Sequence, residues 1–350
     1  MSYKINTICL KSSLLGILLL LLQPSFAQYN WTDLDAELQS KQKLLGTDVV
    51  TMIWKKGDTL VYKKEMGIFN SKTSAPIGDA SMWLTAALVM QFVDEGKLSL
   101  EDKISKWIPE FARYGKNYIT LRHCLSHFTG VTDEEKFFKK MFQKKKDNSL
   151  EEMVNAYARR EIRTNPGTDS WYGDIGPNIA GRVLEVISKK RFDVLAKQKL
   201  FNPMTMRRSS FTSLDGMLVL PASGASCSAD DYIKFLVMLM NKGSYGGKQI
   251  LSEASVDELM KIHVTQDKLK FKPKAAANYN YALASWAIEE QDGKPIALSS
   301  LGFAGAWPVI DLCRGYACIV LSKEPLNEEK PGIYTDLKKL IDEQMRSGCQ

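Results

Sequence analysis

Apolar and polar positions follow two different periods along this chain. Between residues 48 and 69 they alternate one by one, and Gly57-Asp58 separates two such runs, which predicts a β-hairpin. From residue 80 the apolar positions recur at helical spacing until Gly96, which predicts a long helix. The same spacing predicts further helices over residues 119–129, 148–163, 174–197, 229–242 and 332–345. Strands are predicted over residues 279–289, 296–300, 307–312 and 316–322.

The order of these elements predicts the fold class. Strands near both ends of the chain enclose a helical middle, and such strands usually meet in one sheet around a shared core. We therefore expect an α+β fold (an α/β sandwich) with an antiparallel sheet, flanking helices and an inserted all-helical lobe. The sheet lobe is expected to take residues 28–100 and about 225–350, and the helical lobe about residues 101–224.

Residues 1–27 have the pattern of an export signal. Two lysines precede and flank an apolar run at 14–22, and Ser25-Phe26-Ala27 predicts cleavage before Gln28. The apolar run is too short to span a bilayer. We therefore expect a secreted or periplasmic protein of residues 28–350 that keeps no stable membrane anchor after cleavage.

The composition limits the classes of function. Of the 350 residues, 45% are hydrophobic and 25% are charged, which excludes a disordered or collagen-like protein. The formal net charge is +7, but the basic residues are scattered, apart from a lysine-rich run at 139–146 that we interpret as a solvated face. Because no nucleic-acid-binding motif accompanies this run, no nucleic acid partner is expected.

The cysteines and histidines give little support for a metal or a cofactor. After residue 27 the cysteines are odd in number and show no paired spacing, which argues against a disulfide framework or a zinc site. A bridge between Cys313 and Cys318 stays open beside the alternative of small buried thiols, and Cys349 is predicted to lie in a loose tail. His123 and His127 lack the pattern of a zinc site and are assigned structural roles. We expect no metal and no cofactor.

Several motifs occur along the chain in a fixed order. They are residues 94–102 (DEGKLSLED), residues 120–130 (TLRHCLSHFTG), Pro166-Gly167-Thr168 followed by Tyr172-Gly173-Asp174, Leu251-Ser252 with Ser255, and Ser300-Leu301-Gly302. In this order they resemble the motifs of the serine β-lactamase and penicillin-binding-protein superfamily, and most closely its class C-like branch of D,D-peptidases and esterases. The resemblance covers nearly the whole chain after residue 27, and it implies the sheet-and-helix fold expected above.

The catalytic positions of that family are changed in this sequence. The resemblance implies a Ser-x-x-Lys motif at the start of the long helix, where the serine attacks an acyl carbon and the lysine accepts its proton. Counting back from Gly96 places Asp79 at the serine position and Met82 at the lysine position. The asparagine of the second motif is Asp174, and the charged residue of the third is Ser300. Because a thioether cannot accept a proton, ordinary β-lactamase, D,D-peptidase or serine-esterase activity is not expected.

The substitutions favour a different chemistry. If the family fold is kept, Asp79 and Asp174 share one cleft with Tyr172, and repulsion between the carboxylates should leave one of them protonated. Glycoside hydrolysis or transfer requires such an acid and base at one pH. We therefore predict that these three residues are catalytic. The residues predicted to bind substrate around the cleft, several of them through aromatic faces, are Trp171, Ser300, Gly302, Phe303 and Trp307.

Other interpretations remain open at this point. Asp79 is also a good helix N-cap, and a pseudoenzyme that binds cell-wall peptides or glycans would show the same losses. Ser81 offers residual serine chemistry. Asp79 and Asp174, with the acidic residues 133–135, offer oxygen ligands for a hard cation. On each of the enzymatic or binding interpretations, the partner in the cleft is a small molecule, a glycan or a peptide.

Overall fold

A computed structural model describes residues 29–57, 59–132, 149–212, 218–301, 305–323, 331–345 and 349. The predicted export signal, the lysine-rich run at 139–146 and the acidic residues 133–135 lie outside this part of the chain. Within the described part, no helix has the length and the apolar character that crossing a bilayer requires.

Helices form most of the middle of the chain. In chain order they are α1 (Thr32–Ser40), α2 (Gln42–Leu45), α3 (Ala80–Asp94), α4 (Glu110–Arg113), α5 (Leu121–Leu125), α6 (Leu150–Arg159), α7 (Ile175–Ser188), α8 (Phe192–Ala196), α9 (Ala229–Met240), α10 (Glu253–Met260) and α11 (Pro331–Gln344). A π-helical turn follows α8 at Lys197–Phe201. The helix predicted over 174–197 is divided, because Lys189 takes a left-handed conformation (φ 55°) and ends α7. Ser228 caps α9 through its side chain, as Ser and Thr side chains commonly do.

The strands of the main sheet come from both ends of the chain, as predicted. They are β1 (Val49–Lys55), β2 (Thr59–Met66), β3 (Ala75–Pro76), β4 (Ser170–Trp171), β5 (Ser210–Phe211), β6 (Ala225–Cys227), β7 (Ser244–Tyr245), β8 (Lys248–Gln249), β9 (Leu269–Phe271), β10 (Asn280–Tyr281), β11 (Trp286–Gln291), β12 (Lys294–Ser299), β13 (Ala306–Asp311) and β14 (Tyr316–Ser322). The main sheet is antiparallel, with the order β10-β11-β12-β13-β14-β1-β2. The N-terminal hairpin therefore extends the C-terminal meander. This confirms the predicted fold class.

Both faces of the main sheet are covered, and β14 shows how the sequence achieves this. Successive side chains of a strand point to opposite faces. Ala317, Ile319 and Leu321 lie in the larger apolar core, together with residues of α3 and α9. Cys318 and Val320 lie in a second, smaller core that α1 and α11 close on the other face. The apolar run of β14 is continuous because neither face meets solvent.

The cysteines near the C-terminus are paired in a way that the sequence analysis did not predict. Cys313 forms a disulfide with Cys349, across a Cα–Cα distance of 5.6 Å. Cys318 is a free, buried thiol. Cys313 lies in the turn after β13, and Cys349 follows α11, which packs against the same strands. The prediction of a loose tail was wrong because chain spacing does not reveal that α11 returns to this hairpin.

Candidate active site

Asp79 lies at the start of the long helix α3. After β3 the chain turns at Gly78, whose φ is +50°, and the helix begins at Ala80. The Asp79 backbone is already helical (φ −60°, ψ −21°), and its side chain makes no capping hydrogen bond. The carboxylate is therefore not used to cap α3, and the interpretation of Asp79 as a side-chain N-cap was wrong.

Tyr172 joins Asp79 through a direct hydrogen bond. Its Oη donates to Asp79 Oδ2 over 2.8 Å. The tyrosine is buried, with 8% of its surface exposed, whereas Asp79 is half-buried. Burial, and then the charge of Asp79, raise the pKa of Tyr172 well above its ordinary value. The hydroxyl therefore keeps its proton and acts as a constant donor to the carboxylate.

Asp174 lies close to the same hydroxyl. It directly precedes α7, makes no side-chain capping bond and is exposed. Its charge also raises the pKa of Tyr172, although less than that of Asp79 does. Ser223 Oγ donates a long hydrogen bond of 3.5 Å to Asp174 Oδ2. The fold thus brings the three predicted catalytic residues together, with each carboxylate at a helix N-terminus, where the helix dipole favours an anion.

Three residues that had not been predicted as site residues surround Tyr172. The His127 and Trp286 rings lie 4.7 Å and 5.3 Å from the Tyr172 ring, measured between centroids. The Tyr281 ring lies 4.6 Å from the Trp286 ring, and its Oη is 2.9 Å from His127 Nε2. His127 was visible in the motif at 120–130 but was assigned only a structural role. Tyr281 and Trp286 carry no motif, so only the register of β10 and β11 brings them here.

His127 is a neutral residue at this site. It is buried, with 3% of its surface exposed. This burial lowers its pKa to about 3, with a hydrogen bond to the Gly173 backbone acting in the opposite direction. The neutral ring can then accept a hydrogen bond at Nε2 from Tyr281, which itself keeps its proton because burial raises its pKa.

The buried neutral His127 predicts a loss of stability in acid. Its pKa is about 3 in the folded state and 6.5 as the ordinary value, so the unfolded chain binds more protons between these limits. The free energy of unfolding should therefore fall as the pH drops from about 6.5 towards 3. His127→Gln removes this titration. In urea unfolding between pH 7 and pH 4, the free energy of unfolding of the variant should therefore fall less than that of the parent. An unchanged acid slope in the variant would contradict the prediction.

A cavity of about 280 Å³ opens beside Tyr172. Its wall includes Arg163, Trp171, Phe271, His127 and Tyr172. β4 and β9 pair in parallel and place Trp171 beside Phe271, which is 58% exposed. The predicted substrate-binding residue Trp171 therefore does line a cavity next to the candidate catalytic residues.

The start of α7 completes the wall of this cavity. Ile175 and Gly176, from the first turn of the helix, are among the lining residues. A Cβ atom at Gly176 would come within 2.0 Å of the Cys124 carbonyl oxygen, so only glycine lets α7 approach α5 this closely. This close contact fixes the N-terminus of α7 beside the cavity.

The other predicted substrate-binding residues are placed differently. Trp307 lies in β13 in the smaller core, 2% exposed, with its ring stacked 4.8 Å from that of Tyr334 in α11. Its predicted position near the cleft was wrong, because the alternation of β13 turns it to the opposite face of the sheet. Ser300 follows β12 and is buried. Gly302 and Phe303 lie outside the described residues.

The residues needed for acyl-serine chemistry are absent from their positions. Ser81 is completely buried, and its Oγ accepts a hydrogen bond of 3.0 Å from the Ala225 backbone N–H. Met82, at the position of the family lysine, is buried in the larger core. A buried serine that already accepts a backbone hydrogen bond has no access to a substrate carbonyl, so the geometry opposes serine chemistry through Ser81.

One group of carboxylates in the described part of the chain has the spacing of a metal site. The oxygens of Glu289, Asp311 and Asp342 lie within 4.8 Å of one another. Lys338 Nζ is 2.7 Å, 3.0 Å and 2.8 Å from these three side chains, and Arg314 contacts them from the side. The ammonium group of Lys338 therefore occupies the position at which a metal cation would bind. We call these five side chains the ion cluster. The cluster lies on the face of the main sheet that the smaller core covers. Its residues are far from Asp79 in the sequence and belong to other elements.

Sequence similarity identifies the family of this chain. The family model "Beta-lactamase" matches residues 36–341, which is most of the chain. The chain belongs to the beta-lactamase family. A beta-lactamase homologue of known structure from Bacteroides dorei DSM 17855 is 26% identical, with a TM-score of 0.79 over 91% of this chain and 100% of that chain.

More distant relatives of this beta-lactamase family member have several activities. The hydrolase EstCE1, described as having promiscuous acyltransferase activity, shares the fold at 15% identity, with a TM-score of 0.74 over 88% of this chain and 97% of its own. The N-acetylmuramyl-L-alanine amidase of Bacillus subtilis is 21% identical over 51% of this chain and 52% of its own length. Penicillin-binding protein 4 of Amycolatopsis lactamdurans is 29% identical over 38% and 34%. The chain thus spans about half the length of the first of these two curated relatives and about a third of the second.

The match to the family model confirms the resemblance that the sequence motifs indicated. These relatives include a hydrolase and an amidase.

Proposed function

We propose that this protein is a hydrolase or transferase of the beta-lactamase fold that uses carboxylates in place of an acyl-serine, and that it acts on a glycoside-type substrate. The observation that carries the proposal is the hydrogen bond of 2.8 Å from Tyr172 to Asp79, the residue at the nucleophile position. A half-buried carboxylate that is held by a constant donor and is not used for capping has the properties of a reacting group.

The two carboxylates have different roles in the proposed reaction. Asp79 attacks the anomeric carbon, or accepts a proton from the water that attacks it, while the bond from this carbon to the leaving oxygen breaks. Where Asp79 attacks, water then cleaves the resulting glycosyl ester and Asp174, now ionised, accepts the proton of this water, which frees Asp79 again. Asp174 supplies the proton that the leaving oxygen takes up, since it is exposed towards solvent and can be protonated again. Tyr172 holds the Asp79 carboxylate in one orientation. In a transfer reaction, a sugar hydroxyl takes the place of water.

A second candidate function is a pseudoenzyme that binds a cell-wall peptide or glycan without converting it. The placement of Ser81 and Met82 favours this alternative, because both are buried and the cavity beside Tyr172 nevertheless remains. For either function we propose a secreted or periplasmic location. The export pattern of residues 1–27 supports this, and so does the N-acetylmuramyl-L-alanine amidase among the relatives.

The proposal is tested by offering the purified protein a panel of nitrophenyl glycosides and, separately, a fluorescent penicillin. We expect nitrophenol release from at least one glycoside and no covalent penicillin adduct. A 2-deoxy-2-fluoro glycoside that labels Asp79 would identify it as the nucleophile, and inversion of the sugar anomer would identify it as the base. A penicillin adduct on Ser81 would overturn the proposal. Saturable glycan binding with no product from any glycoside would support the pseudoenzyme instead.

A further inference from the structure

His127 binds the backbone on both sides of Tyr172. Its carbonyl oxygen accepts a hydrogen bond of 3.0 Å from the Trp171 backbone N–H. Its imidazole ring makes a hydrogen bond to the Gly173 backbone. The Tyr172 N–H itself donates to the Phe271 carbonyl oxygen over 3.1 Å. One histidine therefore holds the two residues that flank the tyrosine, while β9 holds the tyrosine backbone between them.

The backbone of His127 has a conformation that is unfavourable for most residues. Its φ is +59°, in the left-handed region, where the Cβ atom of an L-residue crowds the following carbonyl oxygen. With this backbone, the carbonyl oxygen and the ring of one residue both reach the segment 171–173. Strained positions of this kind persist where the surrounding contacts fix them, and they occur preferentially at functional sites.

The hydrogen bonds of the His127 ring determine which nitrogen carries the proton. The ring is neutral, because burial lowers its pKa to about 3. The bond to the Gly173 backbone acts to raise this pKa, so the ring is the donor and the Gly173 carbonyl oxygen is the acceptor. Tyr281 Oη lies 2.9 Å from Nε2 and keeps its own proton, since burial raises its pKa. The proton of the ring is therefore on Nδ1, and Nε2 accepts from Tyr281.

The ring of His127 also limits the orientation of the Tyr172 side chain. The centroids of these two rings are 4.7 Å apart. The Trp286 and Tyr281 rings lie 5.3 Å and 5.8 Å from the Tyr172 ring. Packed against these rings, the Tyr172 hydroxyl reaches Asp79 Oδ2 over 2.8 Å. His127 combines its ring contact with its two hydrogen bonds to the flanking residues, so it restricts both the backbone and the side chain of Tyr172.

We propose that His127 is a positioning residue, whose Nδ1–H bond to Gly173 and carbonyl bond to Trp171 hold Tyr172 where its hydroxyl donates to Asp79. Tyr281 selects this tautomer by donating to Nε2, because a ring with its proton on Nε2 would have no proton for Gly173. His127 acts through Tyr172 and not on a substrate. This inference rests on the proposed function for its effect on turnover, but the hydrogen bonds that it assigns are measured without a substrate.

The tautomer is measured by nitrogen-15 NMR of the protein labelled at its three histidines. At pH 7, long-range proton–nitrogen correlation should show a protonated Nδ1 and an unprotonated Nε2 for His127. The variants His123→Asn, His127→Asn and His263→Asn assign the three sets of signals, and any two of them are sufficient. A proton on Nε2 of His127, or on both of its nitrogens, would overturn the inference.

Two substitutions separate the donor to Gly173 from the rest of the ring. In His127→Asn the amide can place an N–H close to the position of Nδ1, and asparagine tolerates a left-handed backbone. In His127→Gln the longer side chain places its amide nearer to the position of Nε2, so the bond to Gly173 should be lost. Crystal structures should show the 2.8 Å between Tyr172 Oη and Asp79 Oδ2 kept in His127→Asn and lengthened beyond about 3.5 Å in His127→Gln. An unchanged distance in His127→Gln, or equal lengthening in both variants, would count against the inference.

The same variants have an expected effect on turnover. His127→Gln should lower kcat on the best glycoside by about 10- to 100-fold with little change in KM, since a misplacement of about 1 Å can cost about 100-fold. His127→Asn should keep most of the parent rate. His263→Gln is the matched control, because this histidine contacts the Glu258 carbonyl oxygen instead, and it should alter neither the rate nor the distance. If His127→Gln does not fold, the tautomer of the parent and the His127→Asn structure still decide.

The outcomes also separate this inference from the proposed function. An Nδ1–H tautomer with a Tyr172–Asp79 bond that His127→Gln breaks, found in a protein that converts no glycoside, would leave the positioning role standing and reject the proposed enzyme. Turnover that depends on Asp79 but is the same in His127→Gln as in the parent would do the reverse.

Discussion

Asp79→Asn is expected to lower glycoside turnover by about 10²- to 10⁴-fold, the usual contribution of a positioned acid–base or nucleophilic group. The amide has the shape of the carboxylate, and its oxygen can still accept the hydrogen bond from Tyr172 that spans 2.8 Å in the parent. The fold should therefore survive, with a change in the free energy of unfolding below about 1 kcal/mol. Initial rates on the best glycoside, together with urea unfolding, measure both quantities.

The same variant has a readout that needs no substrate. The charge of Asp79 is one of the causes that raise the pKa of Tyr172, so a neutral amide should lower this pKa, while burial still keeps it above the ordinary value. Ultraviolet titration of the tyrosinates would detect the change. Asp33→Asn, at an exposed position in α1, is the matched control and should alter neither rate nor titration. An Asp79→Asn rate equal to that of the parent would reject the proposed role.

Lys338→Met is expected to lower the free energy of unfolding by about 3–5 kcal/mol, as for the loss of one partner from a buried ion pair. Its side chain is 9% exposed and lies among Glu289, Asp311 and Asp342. Without the ammonium, Arg314 is the one cation among the described residues that remains beside three carboxylates lying within 4.8 Å of one another. Equilibrium unfolding in urea at neutral pH measures the loss.

The destabilisation by Lys338→Met should shrink in acid. Burial already raises the pKa of Asp342 in the parent, and removal of Lys338 raises it further. A carboxyl group whose pKa is raised by folding costs stability above its unfolded pKa. This cost shrinks as the pH falls below the folded pKa and is gone below the unfolded pKa. Lys323→Met is the control: its side chain is 60% exposed, and a change below about 1 kcal/mol is expected. A similarly small effect at Lys338 would show that the ion cluster does not stabilise the fold.

Much of the fold could be predicted because each element carries its own periodic pattern. The hairpin of β1 and β2, the long helix α3 and the strand meander from β11 to β14 occur where the spacing of apolar residues placed them. The end of α7 at Lys189 could not be predicted from the sequence. The left-handed conformation of Lys189 ends the helix without interrupting the helical spacing of the apolar residues. Trp307 was misplaced because both faces of β13 are buried, so hydrophobicity does not reveal which way a side chain points.

The candidate site could be predicted only where motifs mark it. Asp79 and the Tyr172-Gly173-Asp174 motif come from separate segments, and the resemblance to the family predicts that they share one cleft. Tyr281 and Trp286 complete the packing around Tyr172, but they depend on a strand register that no short motif encodes. Arg163 lies outside the motifs, and its relation to Trp171 follows from a loop path that propensities do not specify.

The bond between Cys313 and Cys349 makes the last part of the chain a closed covalent ring. This ring contains β14, which pairs on both sides in the main sheet, and α11, which covers the smaller core. A single peptide-bond break in the connection between these two elements would therefore release no fragment. As long as the disulfide stays oxidised, such a nicked molecule would keep the layer that covers one face of its sheet.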